Sequence, residues 1–557
     1  MRARRNRTST WLATAGLALA TAVTSPSEAQ LIDRTLIPNA ANEGIAKSFA
    51  DQVGAGRGNV DLPGSSIYII KRDPARSIRR GRQIFQRKFG VGQGLGPRSN
   101  DGLFGDIFGN AALGAGLADS CAACHGRPRG SAGFGGDVVT RPDSRDAPHL
   151  FGLGLQEQLA DEITTEIRAQ ADAARAQCES TGQITQAFLR GRQNEIPVLG
   201  SIDYGRIIFT PAANPHDGTC TTNTSQVVGV NPDLRVRPFF AQGGTMSIRE
   251  FVVGAFAAEM GLQSPDPDVL AASQGAIVTT PSGMVLDGTK DTIEAPPVNT
   301  TSEDGDGDGV TNEIPTAIID HTEFYLLNYF KPGRGRIDND VLMGEVMMTQ
   351  FRCTNCHIKD LTIRADRRVA DVETVFDPAQ GNPFNRMFAT ATLRLVEVPG
   401  SGTPSVKDPA RQAFVVRNIH TDFKRHNMGK NFAELNYNST PANPNFTTGF
   451  MTEALWGVGD TAPYGHDGRS GNLDDVILRH NSPGADGDAI IAGQAFANTS
   501  ETVRIWIRKY LASLVLFAPD DTPSNLQAAN PSDPNYPQFG HGSIRLVALF
   551  NNPDDPE

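Results

Sequence analysis

Two short segments, Cys121-Ala-Ala-Cys124-His125 and Cys353-Thr-Asn-Cys356-His357, constrain this chain more than any other feature. Each reads C-x-x-C-H, the pattern of covalent c-type haem attachment. Two thiols three positions apart reach the two vinyl groups of one porphyrin as thioethers, and the adjacent imidazole then falls under the iron as an axial ligand. Half a zinc site or a redox dithiol would explain one pair of cysteines, but neither explains a histidine in the same place in both copies. The expected cofactors are two covalently bound c-type haems. Cys121, Cys124 and His125 hold the first; Cys353, Cys356 and His357 hold the second. His125 and His357 are the expected iron ligands.

The N-terminus points to the compartment in which such haems are attached. Met1-Arg-Ala-Arg-Arg-Asn-Arg7 is basic, the run from Trp11 to Val23 is apolar, and Ser27-Glu28-Ala29 supplies small residues around a cleavage point. This is the pattern of a cleaved signal peptide, with the mature chain starting at Gln30. The apolar run is too short for a membrane anchor, so a periplasmic or secreted protein is expected. The two remaining cysteines, Cys178 and Cys220, are expected to pair in that oxidising compartment. A disulfide there closes a segment rich in turn residues that includes the strand-like Arg206-Ile-Ile-Phe-Thr210.

A length of 557 residues fits more than one domain. The net charge of −11 argues against general nucleic-acid binding, which needs a basic face. The expected organisation is a signal peptide (1–29), an N-terminal arm (30–75), a first haem domain with the disulfide-closed insertion (76–262), an acidic linker (263–314), a second haem domain (315–517) and an irregular tail (518–557). The glycine-rich stretch Gly90–Gly116 reads as a long surface loop. Glu501 to Leu514 has an amphipathic helical pattern suited to closing the second domain.

Gly81-Arg-Gln-Ile-Phe85 and Gly344-Glu-Val-Met-Met-Thr-Gln-Phe351 precede the two haem motifs. Both resemble the first helix of a cytochrome c domain, where glycine permits close packing. Further on stand Arg145-Asp-Ala-Pro148 with Leu150-Phe-Gly-Leu-Gly-Leu155, then Phe239-Phe240, Ile248-Arg-Glu250 and Glu259-Met-Gly261. His426-Asn-Met-Gly429, Leu455-Trp-Gly457, Pro463-Tyr-Gly-His-Asp-Gly-Arg469 and Leu473-Asp-Asp-Val-Ile-Leu-Arg-His480 follow. Together these resemble the bacterial di-haem cytochrome c peroxidase/MauG superfamily, nearest to its di-haem oxidoreductases labelled putative thiol oxidoreductases. The resemblance implies a mainly α fold of two cytochrome c-like domains with long loops and a few short strands. It also implies one reactive haem and one electron-passing haem, a peroxide or dioxygen co-substrate, and a small redox protein as electron donor or acceptor.

His480 stands where relatives supply the sixth ligand of the second haem, with Met428 as the rival. Arg469 is a candidate partner for a haem propionate, and His466 is expected to pack near a haem. At the first haem Glu250 matches the relatives' distal glutamate, with Glu157 and His149 as further candidates for proton transfer or, for His149, dissociable ligation. The peroxidases' Trp-Asp-Gly-Arg stretch reads Phe240-Ala-Gln-Gly243 in this chain.

Ser302-Glu-Asp304-Gly-Asp306-Gly-Asp308-Gly-Val-Thr-Asn312-Glu313 alternates carboxylates with glycines, a composition able to cage Ca²⁺. A register starting at Ser302 puts Gly307 at the sixth position and Glu313 at the twelfth, and one starting at Asp304 puts Gly309 at the sixth but Pro315 at the twelfth. Asp304, Asp306 and Asp308 are candidate ligands in both; a solvated acidic linker is the alternative. Relatives hold calcium between their haem domains with different ligands, so that likeness is one of position. Two functional readings compete with a peroxidase-like oxidoreductase: an electron-transfer cytochrome without catalysis, and a haem oxygenase acting on an organic substrate.

Overall fold

The computed structural model describes residues 48–96, 118–125, 146–196, 200–212, 218–328, 332–367, 370–376, 387–397, 404–406, 413–435, 443–516 and 541–545. The expected signal peptide, most of the Gly90–Gly116 stretch and most of the tail lie outside these residues. The described chain is mixed and mainly helical. Its helices are α1 (Phe49–Val53), α2 (Ser66–Arg72), α3 (Pro74–Gln86), α4 (Cys121–Cys124), α5 (Leu153–Thr181) and α6 (Ile248–Met260). They continue with α7 (Pro267–Ser273), α8 (Thr316–Leu327), α9 (Asn339–Gln350), α10 (Leu473–Arg479), α11 (Gly487–Asn498) and α12 (Glu501–Ala512). Among the described residues no helix is long and apolar enough to cross a membrane.

Helix starts follow side-chain chemistry. Asp73 accepts the Arg76 N–H ahead of Pro74 in the first turn of α3, and Ser247, Asp338 and Ser500 accept backbone N–H groups at the starts of α6, α9 and α12. Each such cap satisfies a donor that the helix itself cannot pair.

Three cores organise the chain. In the first, Ile84 and Phe85 of α3, Ile248, Val252 and Phe256 of α6, and Ile318, Phe324 and Tyr325 of α8 pack together. Helix α8 therefore joins the first half, although the sequence placed residues 315 onward in the second. In another core Val341 and Met348 of α9 meet Ile507, Tyr510 and Leu511 of α12, the helix that the amphipathic pattern anticipated. Both helix pairs cross at a glycine. A Cβ on Gly81 would lie 2.3 Å from the His321 carbonyl oxygen, and one on Gly344 would lie 2.1 Å from that of Trp506.

The remaining core lies between α5 and a hairpin of strands Thr185–Ile196 and Gly200–Pro211, with Cys220–Asn223 as third strand. The Cys178–Cys220 disulfide is formed and ties that strand to the end of α5. Ile358, Leu361, Ile363 and Ile419 from the second half complete this core, so the insertion also fastens the two halves together. The tail is not wholly irregular: His541–Arg545 pairs antiparallel with Met387–Glu397.

Candidate functional site

The first C-x-x-C-H motif forms the single turn of α4, and His125 caps it. His125 Nδ1 lies 2.8 Å from the Pro148 carbonyl oxygen. A carbonyl only accepts, so Nδ1 carries the proton and Nε2 keeps its lone pair. Burial lowers the His125 pKa, so the ring is neutral at neutral pH. Burial also pushes the Cys121 thiol up to about 12, and Cys353 likewise.

The second motif forms a 3-10 turn, Cys353–Asn355, but its histidine is tied in the same way. His357 Nδ1 donates to the His420 carbonyl oxygen at 3.1 Å, again leaving Nε2 free to ligate. Burial first, and then the proximity of His480, lower His357 to about 4. His480 sits at the end of α10, donates from Nδ1 to Val476 O at 2.8 Å, and meets the Phe432 ring edge-on at 5.4 Å. Two neutral imidazoles, each with Nδ1 tied to a carbonyl and Nε2 unspent, are thus brought within electrostatic range of one another. That donor set suits an iron held by two histidines.

The distal candidates fare differently. His149 has both nitrogens engaged: Nε2 donates to the Trp456 carbonyl oxygen at 2.7 Å, and Nδ1 accepts the Phe151 N–H at 3.2 Å. It braces the segment beside His125 and has no lone pair to offer a metal. Glu250 is buried, and its two oxygens accept the N–H groups of Glu294 and Met246, at 3.0 and 3.3 Å. Burial raises its pKa. Glu157 is buried too and accepts the Ile248 N–H at 2.9 Å, at the start of the same helix α6. Burial, reinforced by Asp161, raises its pKa. The two carboxyls converge on one helix N-terminus, a placement that sequence spacing could not show.

Arg469 is exposed and pairs only loosely with Asp467, at 3.4 Å. The guanidinium that braces this region is instead that of half-buried Arg479, which reaches Asp467 and Ser470 and lies 4.3 Å above the Phe432 ring. His466 stacks on Phe450 and contacts Glu434, while its carbonyl oxygen accepts the Asp146 N–H. The His-Asp-Gly turn therefore clamps the second half to the segment that orients His125.

Asp304, Asp306 and Asp308 each bring a carboxylate oxygen within 4.8 Å of the others. Glu313 does not join them. It is buried and accepts the Gln263 N–H at 2.7 Å, because the chain turns inward there to start α8. The register that began at Ser302 and used Glu313 fails on this geometry.

The sequence motif Leu455-Trp-Gly457 did not show where Trp456 would lie. Trp456 is buried with its backbone carbonyl on His149, its Nε1–H on the Arg417 carbonyl oxygen at 3.1 Å, and its ring over Gly152. It shares a core with Ile358 and Ile419, neighbours of His357 and His420. Long-range packing alone brings it there. No family model matches this chain, and no curated protein matches it.

Proposed function

We propose that the chain is an exported di-haem c-type oxidoreductase of the peroxidase-like kind, with one open and one closed haem. The asymmetry of the two histidine sites carries the reading. His357 is faced by His480, whose Nε2 is available, whereas the histidine beside His125 is His149, whose nitrogens are both spent. The paired helices α3/α8 and α9/α12, each crossing at a glycine with a C-x-x-C-H turn nearby, support a cytochrome c-like arrangement of both halves.

Haem, when bound, supplies the redox chemistry and, at a centre with an open position, accepts peroxide or dioxygen. The chain's own residues do the rest. Pro148 and His420 fix the tautomers of His125 and His357. Trp456 fills the space between the two halves and excludes water from it. Glu157, whose carboxyl is buried with a raised pKa, is the candidate proton donor. A small redox protein completes the electron path.

Intact mass of the exported protein should show two haems on a chain beginning at Gln30. Peroxide or cyanide should perturb one haem spectrum and spare the other. His480→Ala should convert the spared haem from low-spin to high-spin. Two haems that both ignore peroxide in every redox state would leave the electron-carrier reading in its place. Turnover of an organic substrate with dioxygen, and none with peroxide, would favour the oxygenase.

We further propose Ca²⁺ for the carboxylates of Asp304, Asp306 and Asp308. Asp304 accepts the N–H groups of Gly307, Asp308 and Gly309 at 2.7, 3.2 and 3.0 Å, which curls the backbone around the carboxylates. Chelation should lower the melting temperature and added Ca²⁺ should restore it, since a ion bound only by the native state stabilises that state. An unchanged melting curve, with no calcium by elemental analysis, would return the loop to an acidic linker.

A further inference from the structure

We infer that Tyr510 is the outer member of a hydrogen-bond chain that locks the tautomer and orientation of His357, and thereby sets how readily the second centre accepts an electron. The inference rests on the di-haem reading and deepens it.

His357 and His420 are joined twice. His357 Nδ1–H donates to the His420 carbonyl oxygen at 3.1 Å, and His420 Nδ1 lies 3.3 Å from the His357 carbonyl oxygen. Because that carbonyl can only accept, His420 Nδ1 must carry its proton, and His420 Nε2 is left as an acceptor. The Tyr510 hydroxyl lies 2.8 Å from that Nε2, with the two rings perpendicular, so the phenol is the donor. Every proton in the series Tyr510–His420–His357 is then assigned, and the last lone pair is His357 Nε2, the atom that would bind iron.

The surroundings hold this arrangement against resistance. Asn418, His420 and Phe423 all have φ between +53° and +56°, a region that non-glycine residues enter only under strain. The Asn418 N–H is tied to Asp360 at 2.7 Å, and the Thr421 hydroxyl to the Thr452 carbonyl oxygen at 2.5 Å. A strained loop pinned at several points aims one carbonyl at one imidazole. Tyr510 is fully buried, and the Arg334 guanidinium lies 4.7 Å above its ring. The close crossing of α9 and α12 at Gly344 brings the phenol to this depth.

Tyr510 touches neither iron nor substrate, so it is a positioning residue. Its effect runs through the Nδ1–H···O bond of His357. A firm bond there makes Nε2 a better electron donor and favours ferric iron; a slack one does the opposite. Without the phenol, His420 can take the other tautomer, and its bare Nδ1 would then face a carbonyl and push it away.

The test is made on the holoprotein. Tyr510→Phe keeps the ring under Arg334 and should raise the midpoint potential of the second haem by roughly a tenfold change in its reduction equilibrium, about 59 mV for one electron. The low-spin EPR g values of that haem should move, while the first haem in the same sample stays as in the wild type. His420→Asn suits the positive φ and breaks the chain one step inward. It should give a similar shift, and combining it with Tyr510→Phe should add almost nothing, because the residues act in series. A two-haem protein whose second potential and g values ignore Tyr510→Phe, or whose two shifts simply add, overturns this inference alone. A wild-type protein without a second haem overturns the functional reading and this one with it.

Discussion

Gly344→Ala is expected to destabilise the chain by about 3 kcal/mol, although alanine is the better helix former. The helix-propensity gain is about 1 kcal/mol. Against it stands a Cβ placed 2.1 Å from the Trp506 carbonyl oxygen and 2.7 Å from the Tyr510 Cβ. Neither is the free end of a flexible side chain, so α9 and α12 must move apart and part of their shared core must open. Overpacking a close-packed core costs about 1–3 kcal/mol and sometimes more, and separated helices also lose buried apolar area. Gly254 provides the internal control. It lies within α6, and a Cβ there meets nothing within 4 Å. Gly254→Ala should therefore leave stability unchanged or raise it by up to about 1 kcal/mol. The denaturant midpoint of Gly344→Ala should fall, while that of Gly254→Ala stays or rises. Equal shifts would mean that the helix crossing is looser than drawn.

Arg249→Met should cost more, about 3–5 kcal/mol near neutral pH. The Arg249 guanidinium is fully buried and holds Asp266 at 2.5 Å, Asp320 at 2.9 Å and Glu323 at 2.8 Å, with Asp268 at 3.4 Å. The Arg57 guanidinium assists from the surface side. Methionine fills similar volume but leaves several buried carboxylates facing one another. Burial already raises Glu323 to about 7 and Asp320 above its ordinary value, and Arg249 is the main force opposing both shifts. These folded-state values lie above the unfolded ones. Each such group contributes stability that is present below its unfolded pKa and lost as pH rises through its folded pKa. For Glu323 that window runs from about 4.5 to about 7. Losing Arg249 should push the folded values higher still. The deficit of the variant should therefore be smallest near about pH 5 and largest near about pH 8. Buried neutral histidines such as His149, lowered to about 4, also weaken the fold in acid, but they do so in both proteins and cancel in the difference. A deficit independent of pH would show that the carboxylates are hydrated after all.

What the sequence determined was local. The two C-x-x-C-H turns, the glycines before them, the capped helix starts and the amphipathic α12 all arise from interactions a few residues apart, and such spacing is visible in one dimension. The Cys178–Cys220 pair was legible for a chemical reason, since two cysteines outside the motifs had only each other. His480, singled out by its motif, does lie close enough to His357 to lower its pKa. The tertiary structure decided everything that depends on two distant segments meeting. It sent α8 to the first core, because the α8 face bearing Ile318 and Tyr325 fits against α3 at Gly81. It turned Glu313 inward to an N–H of residue 263, and left the three aspartates of that loop together without it. It spent both nitrogens of His149 on backbone groups and brought Glu157 and Glu250 to one helix end, though 93 residues separate them in the chain. It also set Tyr510 on His420 and His420 on His357 across 90 and 63 positions. A hydrogen bond is a short-range, directional contact, and residue spacing along the chain carries no information about which far segments will supply its two ends.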